Sequence, residues 1–221
     1  MTKGLRAEYD RQYARVQDAI LRMGGMVDRA IEESLRSLKN RDLTLAEELI
    51  RRDDEVNNLR FDIEESCLAL IATQQPAASD LRAVVAVMNI VVDMERMADH
   101  AAGIAKTVIR MGDLPLLKPL IDIPKMANLS RKMLAESLQA FVDRDAALAR
   151  TIASRDDEMD TYYRLIFDEL VAMMAERPEA VERATYLLWC AHNLERIGDR
   201  VTNIAERVIF ITTGDMRELN Q

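Results

Sequence analysis

Glu195 and Asp199 stand four residues apart in a segment that reads as helix, and Glu95 and Asp99 repeat the spacing one hundred positions earlier. Residues four apart on a helix stack on one face, so each pair holds two carboxylates that repel unless something positive sits between them. A second row accompanies each pair. Asp53 and Asn57 precede the first, Asp156 and Asp160 precede the second, and Asn203 lies one turn beyond Asp199. If the helices carrying these rows are antiparallel neighbours, row faces row across a seam, and such oxygen-rich clusters suit hard cations such as Mg, Mn, Ca or Fe. One such pair alone is more simply a solvated acidic face neutralised by Arg96, Arg196 and Arg200. Matching rows at equivalent places in both halves favour a cation. Arg96 and Arg196 directly follow a Glu and so leave the helix about 100° away from it, which makes a cation the better compensator.

Other chemistry is sparse. His100 and His192 do not occupy equivalent positions, and both are expected at the surface or beside the carboxylates rather than as metal ligands. A ferritin-like di-metal enzyme needs Glu-x-x-His on two helices, and that spacing does not occur. Phosphate-loop, dinucleotide, nucleophile-elbow and zinc-protease motifs are also missing, so the chain is expected to bind rather than catalyse. Cys67 and Cys190 sit among apolar neighbours and are expected to be buried reduced thiols.

The elements that must position the carboxylates are helices. With 49% hydrophobic but only 5% aromatic residues, 7 Gly and 5 Pro in 221 residues, the chain is rich in good helix formers. Val16, Ile20, Met23, Val27, Ile31, Leu35 and Leu38 mark a first helix to about Lys39, with Gly24-Gly25 inside it read as close helix packing. Leu45 to Leu70 marks a second helix ending before Pro76, and a third runs from about Asp80 to Met111. Gly112, Pro115, Pro119 and Pro124 mark a linker. The plan then restarts, with a helix to about Phe141, one from Arg144 to Glu176 and one from Pro178 to about Thr212.

The restart is a sequence repeat. Glu33-Ser34-Leu35 returns as Glu136-Ser137-Leu138, and Arg52-Asp53-Asp54-Glu55 as Arg155-Asp156-Asp157-Glu158, each 103 residues on. Glu95-Arg96 and Asp99 return as Glu195-Arg196 and Asp199 at an offset of 100. Duplication of a three-helix unit accounts for this, with residues 1–114 and 115–221 as the two repeats of an all-α six-helix bundle.

No apolar run approaches the roughly 20 residues that cross a bilayer, and no signal peptide is evident, so a cytoplasmic location is expected. A net charge of −8 argues against nucleic acid as a partner.

Gln75-Pro76-Ala77-Ala78-Ser79-Asp80-Leu81-Arg82 resembles the QPxAxDLR segment that opens the third helix in the PhoU family of phosphate-transport regulators, and Glu195 to Ile204 resembles that family's ERIGDRxxNI motif. The first-half copy has Met97-Ala98 where Ile-Gly is usual, but keeps both carboxylates. The resemblance covers the whole chain. It implies a cytoplasmic negative regulator of the phosphate starvation response that couples a phosphate ABC transporter ATPase to a sensor histidine kinase, with homodimers among its forms. It also implies carboxylate-bound divalent or iron ions (Fe, Mn, Mg or Zn), held by Asp53, Asn57, Glu95 and Asp99 in one half. Asp156, Asp160, Glu195, Asp199 and Asn203 would hold them in the other. A carboxylate-cluster metalloenzyme and a purely structural helical adaptor remain as rival readings.

Overall fold

A computed structural model describes residues 3–215. Seven α-helices follow one another among them: α1 (Lys3–Asn40), α2 (Leu43–Gln74), α3 (Ser79–Met111), α4 (Asp122–Asp143), α5 (Ala146–Ala153), α6 (Asp156–Glu176) and α7 (Val181–Thr213). A 3-10 turn at Pro178–Ala180 leads into α7, and no strand occurs among the described residues. This is the expected six-helix plan with its fifth helix interrupted.

The apolar stripes read from the sequence form the core. Val16, Ile20, Met23, Val27, Ile31 and Leu38 of α1 are buried, as are Leu194, Ile197, Val201, Ile204, Val208 and Ile211 of α7. Each such side chain contributes about 1.5–3 kcal/mol of transfer free energy. Cys67 and Cys190 are buried and unbridged, and burial pushes both thiols up to about 12, so they are inert core residues.

The break in the expected Arg144–Glu176 helix is local. Ser154 and Arg155 keep right-handed backbone angles, but the Arg155 N–H reaches the Ile152 carbonyl three residues back, so the helix tightens for one turn and α5 ends. Asp156, Asp157 and Glu158 then form the acidic first turn that favours a new helix start. In the first half Glu48 and Arg51 stand where Thr151 and Ser154 stand, and α2 runs through unbroken. Pro124, read as linker, lies instead in the first turn of α4, where its missing N–H costs no helical hydrogen bond.

Repeat symmetry extends to side chains. Arg41 and Arg144 both adopt left-handed φ of 55° and 54°, and the aspartate after each caps the next helix. Arg52 pairs with Glu33 as Arg155 pairs with Glu136. The most extensive helix contact, α3 against α7, joins the halves. There Asn203 Nδ2 donates to Asp93 Oδ1 at 3.1 Å, and Asn193, the counterpart of Asp93, lies against Gly103, the counterpart of Asn203. The same two positions thus meet twice, as a pseudo-twofold axis requires. A Cβ on Gly24 would collide with Leu138 Cδ1, so this glycine makes room for the Leu138 side chain where α1 meets α4.

Candidate functional site

The acidic rows come together on the two seams. Glu95 and Asp99 of α3 flank a core stripe of Met94, Met97 and Ala101, so the buried face sets their azimuth. Across the α2–α3 seam, Asp53 lies within hydrogen-bonding reach of Asp99 and feels the charge of Glu95. Burial, with the Asp99 carboxylate adding to it, raises Asp53 from the usual 3.8 to about 6. Asn57 sits half-buried one turn along α2, with no side-chain hydrogen bond among the described residues.

The α6–α7 seam repeats this with one carboxylate more. Burial raises Asp156 to about 6, and the charges of Asp199 and Asp160 push the same way. Glu195 is raised by burial and then by Asp199, with Asp160 and Asp156 adding to it. Asp199 is raised by burial against the opposing pull of Arg196 and Arg200. All four predicted carboxylates of this half therefore share one electrostatic neighbourhood.

Arg196 departs from expectation. Its long side chain curls back over its own turn, with Nε 3.0 Å from Glu195 Oε2 and Nη1 3.0 Å from Asp199 Oδ2. The 100° offset of the Cβ does not decide where a guanidinium four bonds further on comes to rest. Arg96, its counterpart, is exposed and pairs with neither Glu95 nor Asp99 among the described residues. Glu95 instead meets Arg60 of α2 at 3.4 Å, while Arg60 makes its closer contact, 3.0 Å, with Glu64.

Asn203 is shared between two neighbourhoods. It lines a polar cleft of about 440 Å³ with Asp156, Asp199, Arg200 and Arg207, and it donates to Asp93. The buried Asp93 also meets Arg200 at 3.5 Å, and burial raises its pKa. Sequence reading missed Asp93, although a lone carboxylate inside Ile90-Val91-Val92-Asp93-Met94 was a visible signal. His192 lies 3.6 Å from Glu195 Oε2 and is lowered by burial and by Arg196, while His100 Nδ1 bonds Asn193 Oδ1 at 3.0 Å. Neither His completes a cage.

The donor set fits a hard cation. It is all oxygen, carboxylates predominate, and Glu195 Oε2 is met by the Arg196 ion pair rather than by an aligned hydrogen bond. Among the described residues no three His, Cys, Asp or Glu side chains converge closely enough to form a finished metal cage. The rows are near enough to feel each other's charge.

The family described as PhoU domain matches residues 20–108 and 123–208. A phosphate-specific transport system accessory protein PhoU homolog of Clostridium acetobutylicum is 38% identical over 91% of this chain and 92% of its own length. Its Pseudomonas aeruginosa namesake is 33% identical over 99% of this chain and 91% of its own. The crystal structure of PhoU from Pseudomonas aeruginosa superposes with a TM-score of 0.89 at 33% identity, covering 94% of this chain and all of that one. The crystal structure of the phosphate transport system regulatory protein PhoU from Streptococcus pneumoniae gives 0.90 at 33% identity over 96% of this chain and all of that one.

Proposed function

The chain belongs to the PhoU family, and from that premise we propose that it is an accessory regulator of a phosphate-specific transport system that works by binding ions and partners rather than by catalysis. It restrains phosphate uptake and the starvation response by linking the ATPase of a phosphate ABC transporter to a sensor histidine kinase. It acts in the cytoplasm, forms homodimers, and is built of two repeats at 1–114 and 115–221. No helix among the described residues is long and apolar enough to cross a membrane, which suits that arrangement.

Its regulatory ions are divalent or iron cations, Fe, Mn, Mg or Zn, held on the two seams. Asp53, Asn57, Glu95 and Asp99 hold one set, and Asp156, Asp160, Glu195, Asp199 and Asn203 the other. The observation that carries this is the gathering of Asp156, Asp160, Glu195 and Asp199 into one electrostatic neighbourhood on the α6–α7 seam, with Asp156 and Asp199 lining the same polar cleft. A bound cation would supply the positive charge that ties the two helices of a seam together.

The reading predicts that deleting the gene raises expression from phosphate-starvation promoters in phosphate-replete medium. Unchanged reporter output there would refute it. One observation favours a purely structural adaptor: Arg196 already spans Glu195 and Asp199. Metal analysis of chain purified under native conditions separates the two, since an adaptor carries no stoichiometric metal.

A further inference from the structure

We propose that Arg196 is a resident counter-ion of the second seam, one that an entering cation must displace from Glu195 and Asp199, so that the two seams bind metal with different affinities and the second fills last. The inference rests on the metal reading above and concerns what regulates it.

The halves are not electrostatically alike. Arg196 Nε and Nη1 each lie 3.0 Å from a carboxylate oxygen of the Glu-x-x-x-Asp pair, so a single guanidinium bridges both groups. The equivalent Arg96 makes no such bridge, and Arg60 touches only Glu95, at 3.4 Å, while gripping Glu64 at 3.0 Å. Asp99 faces Asp53, carboxylate to carboxylate, with the Lys106 charge acting on Asp53 but bridging neither member of the Glu95–Asp99 pair among the described residues. The first pair thus lacks a bridging arginine, and the second has one.

A cation needs the oxygens that Arg196 holds. Metal and guanidinium compete for the same charge, and two positive groups on one pair of carboxylates repel each other. Arg196 can yield its place because its side chain is 41% exposed and stands at an open polar cleft. It is therefore a movable counter-ion rather than a fixed part of the core. The second seam has an extra carboxylate, Asp160 where the first has Asn57, which by itself would make it the stronger site. The arginine opposes that advantage.

The test is a Mn(II) titration of the metal-stripped full-length chain, with free Mn(II) followed by electron paramagnetic resonance. E95Q/D99N and E195Q/D199N assign bound metal to one seam or the other. The expected result is weaker binding at the second seam, tightened on the order of tenfold by Arg196→Gln. Arg96→Gln changes neither seam, and Arg196→Lys falls between wild type and Arg196→Gln because lysine keeps the charge but loses the two-pronged grip. Second-seam binding as tight as the first in wild type, or indifferent to Arg196→Gln, overturns the inference while the metal reading stands. Absence of Mn(II) binding at both seams in wild type and Arg196→Gln alike sinks the metal reading and this inference together.

Discussion

Asp28 and Arg131 occupy the same position in the two repeats, 103 residues apart, and they face each other across the α1–α4 contact. Arg131 donates to both carboxylate oxygens, at 2.7 and 3.0 Å. A position that meets its own counterpart lies beside the pseudo-twofold axis. Identical residues there would set like charge against like, and the repeats have diverged into opposite charges. Both side chains are partly exposed, so Arg131→Ala should cost only about 0.5–1.5 kcal/mol in urea unfolding. Arg131→Asp should cost more, and the swap Asp28→Arg with Arg131→Asp should recover most of the loss. A swap no better than Arg131→Asp alone would mean that the environment is not symmetric.

The buried Asp93 is held by Asn203 and Arg200 between the halves. Asp93→Ala leaves both partners unpaired at the largest helix contact and should destabilise the chain by about 1–3 kcal/mol. Asp93→Asn should cost less, because it keeps a hydrogen-bonding group opposite Asn203. Equal melting temperatures for wild type and Asp93→Ala would show that this bridge adds nothing.

In the metal-free chain the carboxyls of Asp53 and Asp156 are raised to about 6, first by burial and then by the neighbouring carboxylates. The folded state holds these protons more tightly than the unfolded state, whose aspartates titrate near 3.8. Their contribution to stability is therefore fully present below about pH 4 and is lost as pH rises through 6. Asp53→Asn and Asp156→Asn should each raise the melting temperature in the presence of chelator at about pH 7. The gain should fade by pH 4, as differential scanning calorimetry would show.

Added Mn(II) reverses that sign, because the same carboxylates become ligands. At a hundredfold excess over Kd a single bound ion adds about 2.7 kcal/mol, which for a chain of this size raises Tm by roughly 5–10 °C. E195Q/D199N should lose the share belonging to the second seam and remain folded, since the stripe through Ile197, Val201 and Ile204 is untouched. A double variant that responds to metal as wild type does would return these rows to the status of solvated faces.

The helices, the duplication and the acidic rows were all legible in the sequence because each rests on spacing along a single helix. Stripes such as Leu194, Ile197 and Val201 state which face is buried, and a Glu and an Asp four apart share a face whatever else the chain does. With the buried face of α3 known, the azimuth of Glu95 and Asp99 followed, and with it their meeting with Asp53. The family motifs were legible as runs of residue identity, one of which begins at Gln75 to Ala78, between α2 and α3. What a long or solitary side chain touches was not. Arg196 could have reached solvent, and its grip on Glu195 and Asp199 is a choice among rotamers made by the field of the cluster. Asp93 finds Asn203 only because α3 and α7 cross at one particular height, a distance of 110 residues along the chain. The interruption before Asp156 likewise separates two repeats that read alike, and it shows only in which carbonyl the Arg155 N–H reaches. Periodicity sets the direction of a Cβ, but partners across a seam depend on the crossing of two helices, and that is decided by the packing of the whole core.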